Sequence, residues 1–281
     1  MVSLALAALA SFVGLRLPGV ALARAIGERI VCAVRLTEDC REEPALRAAN
    51  GNEVAALLRH HAPALLYEEG MTALPVDFRE CRSDACAEGA EGGAVTRSNR
   101  GVRTVAFTHV IDCRPGQRAR TKAWGGNCSG PRAGNLYLQY WLYYPGSATA
   151  EGSTPLKRSI RRVSRVLGHP SYHPDDWEGY QVRIGRDGTF ARATSHHTYD
   201  GWQPNDDRYY ISGGSHAGRP LAATRSWIPL RISATSSRST KDHRLILIPL
   251  ETLPDRARYS FAVTPPWRKR VYFDPEYAGT D

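Results

Sequence analysis

Six side chains that can bind a metal ion or transfer a proton crowd one short stretch, "SYHPDDWEGYQVRIGRDGTFARATSHHTYDG", at residues 171–201. They are His173, Asp175, Asp176, Glu178, His196 and His197. Mixed nitrogen and oxygen sets of this kind suit a divalent ion such as Mg²⁺, Ca²⁺ or Mn²⁺, and Zn²⁺ accepts them with fewer ligands. Because two close carboxylates repel each other without a cation, the stretch predicts either a divalent-metal site or a solvated strand edge.

The alternation of side chains along a strand selects among these residues. Asp176 and Glu178 project to one face, and Asp175 and Trp177 project to the other unless the strand is bulged. With His173 close by, the pattern H-x-x-D-x-E offers one imidazole and two carboxylates to a small volume. His173, Asp176 and Glu178 are therefore the predicted metal ligands, and Trp177 is predicted to lie in the core.

A hairpin brings further histidines towards this set. The turn "GRDG" at 185–188 is predicted to join the strand "EGYQVRI" to the strand "TFARATSHH". Since the strands of a hairpin also meet at the end away from the turn, His196 and His197 should lie near His173. His216 follows a Gly-Gly-Ser bend, which either presents it into a cleft or is a plain turn. If the chain is an enzyme, His197 or His216 would act as general base on a metal-bound water.

Seven short segments rich in aromatic and β-branched residues, separated by Gly, Pro, Asn and Asp, are predicted strands. They cover 103–112, 135–145, 178–184, 189–197, 208–217, 243–251 and 269–275. This order predicts a mainly β protein, an antiparallel β-sandwich over 63–281, with short N-terminal helices and one inserted basic helix.

Residues 1–23 are almost wholly apolar apart from Arg16 and end in small residues, which predicts either a secretory signal peptide or a retained membrane anchor over 1–25. A helical segment is expected over 26–62, with one or two short helices at 41–61. Each interpretation of the N-terminus places the rest of the chain outside the cytoplasm.

The inserted helix is predicted at 153–168, where Leu156, Ile160, Val163 and Leu167 form one apolar stripe opposite a face of Lys and Arg. A basic amphipathic helix binds an anionic membrane surface or simply docks its stripe on the protein.

The cysteines also indicate an oxidising compartment. Their even number suits a disulfide framework, for which pairing of sequence neighbours is the favoured connectivity. These neighbours are Cys32 with Cys40, Cys81 with Cys86, and Cys113 with Cys128.

The formal charge of +9 comes almost entirely from arginine, in a chain also rich in Ala, Gly and Pro. This is the bias of a GC-rich genome, so the charge does not indicate a nucleic-acid partner. Acyl-transfer and nucleotide-binding functions also lack support, because no G-x-S-x-G elbow, P-loop or G-x-G-x-x-G follows a predicted strand.

Three segments, "HPDDWEGYQVRI", "SHHTYDG" and "ISGGSHAG", resemble the plant and bacterial Vps62-related family. In that family a G-D-W-E strand, an S-x-H segment and a G-S-H-A segment recur in the same order. The resemblance extends over roughly residues 61–275 and includes "HAPALLYEEGMTALPVDF" at 61–78.

The D-W-E motif also resembles the NPP1-like necrosis-inducing proteins, secreted β-sandwich toxins with the heptapeptide G-H-R-H-D-W-E. That resemblance implies a divalent ion at His173, Asp176 and Glu178. Pro174 and Asp175 replace the Arg and second His of the heptapeptide, and the family's earlier aspartate has no counterpart. Asp175, His197 or His216 would then complete the ligand set.

Three functions follow from these features. The first is a secreted or membrane-anchored module that binds a divalent ion and a polar ligand, such as a lipid headgroup or a glycan. The second is a metal-dependent hydrolase, and the third is a structural cell-surface module in which the D-W-E hairpin only organises the fold.

Overall fold

The computed structural model describes residues 39–68, 71, 73–89, 96–117, 127–148, 163, 166–167, 172–195, 198–221, 230–232, 245–253 and 256–277. Several predictions lie outside these residues: the signal peptide or anchor at 1–25, Cys32, the histidines at 196–197, and all but three residues of the basic helix. The chain divides into two compact units, 1–44 and 45–281, and both sheets belong to the second.

The helix α1 spans Asp39–His60 and is kinked at Gly51, where φ is 75°. Glycine adopts this left-handed backbone without a Cβ clash, so it joins two helical segments in one element. The prediction of one or two helices over 41–61 is thereby confirmed. Leu46 and Leu58 are fully buried in the main core. Within the described part of the chain, none of the helices combines the length and the apolar character needed to cross a bilayer.

The remaining elements are mostly strands, as predicted. In chain order they are β1 Ala64–Glu68, the short helix α2 Asp84–Ala87, β2 Val105–Asp112, β3 Leu136–Ala148, β4 Tyr172–Gly185, β5 Gly188–Ser195, β6 Thr198–Tyr199, β7 Gln203–Pro204, β8 Arg208–Ile211, β9 Gly218–Pro220, β10 Leu230–Ile232, β11 Ile246–Pro249 and the short helix α3 Arg270–Phe273.

The strands form two packed sheets, which confirms the predicted β-sandwich. The smaller sheet has the order β10-β1-β8-β9, and the larger has the order β11-β2-β3-β4-β5-β6, with β7 also paired to β5. The pairing is antiparallel except for β1 with β8 and β2 with β11, which are parallel. The two parallel pairs refine the antiparallel sandwich that the sequence predicts.

The long hairpin of β3 and β4 forms the centre of the larger sheet. Its pairs keep one register from Leu136 opposite Ile184 to Ala148 opposite Tyr172, with no pair at Pro145 and Asp175. The predicted turn at 185–188 is confirmed, since Gly185 pairs with Gly188 across the β4–β5 hairpin.

One predicted strand, at 269–275, is wrong, because Arg270–Phe273 is a helical turn. Val271 and Tyr272 are adjacent and both buried, whereas adjacent residues of a strand point to opposite faces. The periodicity of so short an apolar segment does not distinguish a helix from a strand.

Two of the three predicted disulfides are present in the described residues. Cys81 pairs with Cys86, and Cys113 pairs with Cys128, with Cα–Cα distances of 5.8 and 5.2 Å. Neighbour pairing is therefore confirmed for these two bridges. Disulfides of this kind are typical of proteins in oxidising compartments.

The two bridges should stabilise the fold unequally, because they close loops of different length. Replacing both Cys113 and Cys128, 15 residues apart, by alanine should lower the free energy of unfolding by about 3 kcal/mol. Replacing Cys81 and Cys86, 5 residues apart, should cost only about 2 kcal/mol. Urea unfolding of the two double variants measures both values. Each bridge has one fully buried cysteine, so burial does not distinguish the two bridges. A larger loss of unfolding free energy for the Cys81–Cys86 variant would therefore contradict the loop-length explanation.

Candidate functional site

The strand β4 separates the polar residues of the D-D-W-E segment between two faces of the larger sheet. Asp176 lies opposite Tyr144, and Glu178 lies opposite Leu142. This face is turned towards the smaller sheet, where the ring of Tyr180 packs 5.3 Å from that of Tyr209 on β8. The predicted division is confirmed, because Asp175 and Trp177 contact a different set of residues.

Asp175 is a structural carboxylate on the opposite face. Its carboxylate accepts hydrogen bonds from three donors: Arg82 at 2.8 Å, the hydroxyl of Tyr143 at 2.6 Å and the backbone N–H of Ala262 at 2.7 Å. The residue has a φ of 56° inside an otherwise regular strand. Its contacts tie the segment around α2 to the C-terminal region. Asp175 is thus turned away from Asp176 and Glu178.

Asp176 and His216 form a buried pair. The Nδ1–H of His216 donates to Oδ2 of Asp176 at 2.8 Å, and both side chains are 2% exposed. The imidazole also stacks on the ring of Tyr144, with centroids 3.9 Å apart and planes 6° apart. Because Nδ1 carries the proton in this bond, Nε2 holds the lone pair of the neutral ring.

The loop between β8 and β9 presents His216 to the sheet. The backbone N–H of Gly213 donates to Glu68 at 2.6 Å, and that of Ser212 donates to the carbonyl of Ala217 at 2.9 Å. His216 itself has a φ of 55°. A non-glycine residue in this region is held there by its surroundings, and such positions concentrate at functional sites.

Glu178 is buried next to Asp176 and accepts a hydrogen bond from the hydroxyl of Thr194 on β5. The same hydroxyl oxygen accepts the backbone N–H of Gly179 at 2.6 Å. Burial raises the pKa of the Glu178 carboxyl well above its ordinary value, and the charge of Asp176 raises it further, whereas Thr194 and Lys269 lower it. We refer to Asp176, Glu178, Thr194, His216 and Tyr144 as the inner acidic cluster.

Tyrosines surround the inner acidic cluster. Tyr67 and Tyr144 are fully buried, and neither hydroxyl has a hydrogen-bond partner in the described part of the chain. Burial raises the pKa of Tyr144, with smaller increases from Tyr67, Tyr209, Glu178 and Asp176, so these groups lie close together. A buried hydroxyl without a partner is a position where a water, an ion or a ligand atom can be accommodated.

The third predicted metal ligand, His173, is half-buried at the start of β4. Its Nδ1 lies 3.1 Å from the carbonyl oxygen of Asp175 and 3.3 Å from that of Pro174. A carbonyl oxygen only accepts, so Nδ1 is the protonated nitrogen and Nε2 holds the lone pair of the neutral ring. The structure does not bring a donor atom of His173 together with both Asp176 and Glu178 within 4.8 Å.

A second group of potential ligands lies at the end of α1. Within the described residues, His60, His61 and Asp207 are the group of three whose donor atoms all lie within 4.8 Å of one another. Nδ1 of His61 is 2.9 Å from Oδ1 of Asp207. In the sequence, His61 belongs to the predicted N-terminal helical segment, and no pattern pairs it with Asp207.

Two sequence features partly indicate the buried tyrosines and the histidine pair that the predicted site did not include. Tyr140 and Tyr144, four positions apart on β3, place two hydroxyls on one buried face, where each requires a polar neighbour. A histidine pair at the end of a helix is a further signal. In both cases the partner is distant in sequence, as for His61 and Asp207, so the signal alone does not identify it.

No protein-family model matches the chain, and no curated protein matches it. Solved structures give weak superpositions. NLPPya in complex with mannosamine superposes at 13% identity with a TM-score of 0.38, covering 78% of this chain and 86% of its own.

Two further structures superpose similarly. A protein described as a toxin fold for microbial attack and plant defense gives 15% identity and a TM-score of 0.33, covering 72% of this chain and 76% of its own. Necrosis and Ethylene inducing Protein 2 from the causal agent of cocoa's Witches Broom disease gives 15% identity and a TM-score of 0.32, with 69% and 73% covered. At these TM-scores the superpositions carry no argument about ligand or activity.

Proposed function

We propose that the protein is an extracytoplasmic β-sandwich module of the Vps62-related type that binds a polar ligand through a divalent cation at the inner acidic cluster. The observation that carries the proposal is the burial of two carboxylates, Asp176 and Glu178, on one face of one strand. The ligand class is a lipid headgroup or a glycan, both of which offer several oxygen atoms to a cation.

Electrostatics favours a cation at this position. Two buried carboxylates of like charge are costly, and the raised pKa of Glu178 expresses that cost. The ammonium of Lys269 offsets only part of the charge. A divalent cation would neutralise both carboxylates, and an oxygen-rich set favours Mg²⁺, Ca²⁺ or Mn²⁺ over Zn²⁺.

Two neighbouring contacts fit a cation at Asp176 and Glu178. His216 donates Nδ1–H to the Asp176 carboxylate and so orients it from outside the ligand set, as outer groups orient metal ligands. His173 is left out of the proposed ligand set, because the donor atoms of His173, Asp176 and Glu178 do not all lie within 4.8 Å of one another. The hydroxyls of Tyr67 and Tyr144, which have no partner in the described residues, would bind the oxygens of the polar ligand or of its water.

The basic segment at 153–168 favours binding of the polar ligand at a membrane surface. Its five Lys and Arg residues would hold the protein at an anionic membrane surface, where the charge of each basic residue contributes about 1 kcal/mol. A lipid headgroup would then be presented at high local concentration. A soluble glycan would bind without that contribution.

Cation binding by the cation-free protein tests the proposal. Ca²⁺, Mg²⁺ or Mn²⁺ should raise the unfolding temperature of the wild type, and Asp176→Asn should weaken the binding by at least about tenfold. Asp187→Asn is the matched control, because Asp187 is exposed in the β4–β5 turn and pairs only with Arg183 among the described residues. Elemental analysis showing no stoichiometric ion, together with no thermal shift for any of these cations, would leave the protein a structural surface module.

A metal-dependent hydrolase is the second candidate, and the His216–Asp176 bond favours it. A carboxylate that accepts Nδ1–H fixes the tautomer in which Nε2 can take a proton from water. His197, the other predicted base, lies outside the described residues. His216→Gln should then abolish turnover of chromogenic ester or phosphodiester probes while cation binding persists. A wild type that turns over none of these probes would favour the binding module.

A further inference from the structure

We propose that His60, His61 and Asp207 form a second metal site, which binds a borderline divalent ion of the Zn²⁺ class. The donor atoms of the three residues lie within 4.8 Å of one another. The site is separate from the inner acidic cluster in residues and in chemistry, so it does not rest on the proposed function.

Local structure holds the three ligands at one point of the fold. His60 is the last residue of α1 and His61 follows it, while Asp207 directly precedes β8. The backbone N–H of Ala64 donates to the carbonyl oxygen of Asp207 at 2.7 Å. This bond fixes the chain that leaves the helix against the chain that enters β8.

Asp207 has a φ of 57°, which Asn and Asp adopt more readily than other non-glycine residues. This backbone turns its carboxylate towards the histidines, where Oδ1 lies 2.9 Å from Nδ1 of His61. The rings of His60 and His61 meet edge to face at a centroid distance of 4.6 Å.

The donor set determines the class of ion. Two imidazoles and one carboxylate suit Zn²⁺, for which Zn–N and Zn–O distances are about 2.0–2.2 Å. In a tetrahedral site these lengths place ligand atoms roughly 3.3 Å apart. The separation of 2.9 Å between His61 and Asp207 is already close to that value, and a donor atom of His60 lies within 4.8 Å of both. Mg²⁺ and Ca²⁺ would find too few oxygens here.

Asn205 provides the outer support that metal ligands require. Its Nδ2 donates to Oδ1 of Asp207 at 2.6 Å and lies 3.3 Å from Nδ1 of His61. Its Oδ1 accepts the hydroxyl of Tyr180 at 2.7 Å and the backbone N–H of Asp207 at 3.0 Å. The carboxylate is thus oriented by a buried tyrosine through one amide, in the way that outer groups orient metal ligands.

Three protein ligands and an exposed His60 leave a fourth position accessible to water. A site of this form is either a clamp between α1 and β8 or a site at which the ion meets an exogenous ligand. In both cases the ion would stabilise the folded chain, since its ligands come together only on folding.

Calorimetric titration of the untagged, metal-stripped full chain with Zn²⁺ tests the proposal. The wild type should bind Zn²⁺, and both His60→Ala and Asp207→Asn should weaken that binding by at least tenfold. Asparagine tolerates the backbone of Asp207, so this variant removes the charge without a change in φ. Asp206→Asn is the matched control, because its carboxylate pairs with Arg208 instead, and it should bind Zn²⁺ as the wild type does.

Two further readouts make the result specific. Co²⁺ in place of Zn²⁺ should give the intense visible absorption of a tetrahedral site in the wild type and in Asp206→Asn, and a weak one in Asp207→Asn. Excess Ca²⁺ should not displace Zn²⁺, and Asp176→Asn should not alter Zn²⁺ binding, which separates this site from the proposed function. No Zn²⁺ binding by the wild type, or equal losses in Asp206→Asn and Asp207→Asn, would overturn the proposal and leave His61 and Asp207 an ordinary ion pair.

Discussion

Replacing Glu178 by glutamine should make the cation-free protein more stable at neutral pH and, at the same time, weaken cation binding by about 100-fold. Most single substitutions destabilise a protein. This one should stabilise it, because the buried carboxylate of Glu178 lies beside Asp176 and its pKa is raised by burial and by that neighbour. Glutamine keeps an oxygen that can accept the hydroxyl of Thr194, so the local hydrogen bond survives.

The direction of the pH dependence follows from the raised pKa of Glu178. In the unfolded chain the carboxyl loses its proton near pH 4.3, whereas the folded protein holds that proton to higher pH. Between these two pKa values the folded state binds more protons, so the free energy of unfolding falls as pH rises, by at most about 1.4 kcal/mol per pH unit. The full stabilising effect of the proton is present below the unfolded pKa and is lost as pH passes the folded pKa.

Urea unfolding of wild type and Glu178→Gln from pH 4 to pH 8 measures this effect. The two should be similar near pH 4 and diverge as pH rises, with glutamine the more stable. A saturating cation should remove the difference by stabilising only the wild type. Glu276→Gln is the matched control, because Glu276 accepts bonds from Tyr137 and Trp202 and its loss should destabilise. If the free energy of unfolding depended on pH in the same way for the wild type and Glu178→Gln, the raised pKa of Glu178 would not explain the pH dependence.

The division of the D-D-W-E segment could be predicted from the sequence because it depends on local geometry. A strand alternates its side chains whatever it packs against, so Asp176 and Glu178 had to face away from Asp175 and Trp177. The turn at 185–188 could be predicted for the same reason. The prediction of a strand at 269–275 was wrong, because the choice between strand and helix there depends on packing at both Val271 and Tyr272, which a short segment does not reveal.

The partners of these residues could not be predicted, because they are distant in the chain. Asp176 meets His216 across 40 residues, and His61 meets Asp207 across 146. A sequence shows that His216 follows a glycine bend but not which carboxylate the loop reaches. Asp175, His216 and Asp207 are the non-glycine residues with positive φ in the described part of the chain. Each lies in or beside a candidate site, and tertiary contacts impose that backbone, so no local pattern indicates it.

Replacing Trp177 by alanine should cause the largest loss of stability of any change considered, about 3–5 kcal/mol. The indole is 3% exposed, and five aromatic rings surround it at centroid distances of 5.1 to 5.8 Å. They belong to Phe78, Phe107, Tyr143, Phe261 and Trp267. Rings from four separate segments cannot all move inward to fill the space, so most of the cavity would remain. For a folded unit of this size the unfolding temperature should fall by roughly 6–20 °C.

Two variants separate packing at Trp177 from other effects. The Nε1–H of Trp177 has no hydrogen-bond partner in the described residues, so Trp177→Phe loses volume but no bond and should cost less than alanine. Trp202→Ala is the matched control, because its indole is half-buried between Arg183 and Arg192 and should cost the fold less. Calorimetry that found equal losses for Trp177→Ala and Trp202→Ala would contradict a core role for Trp177. Trp177→Phe should still bind the cation, because the indole lies on the opposite face of β4 from Asp176 and Glu178. Cation binding by this variant would show that the D-W-E motif combines a tryptophan that packs in the core with a separate ligand-binding face.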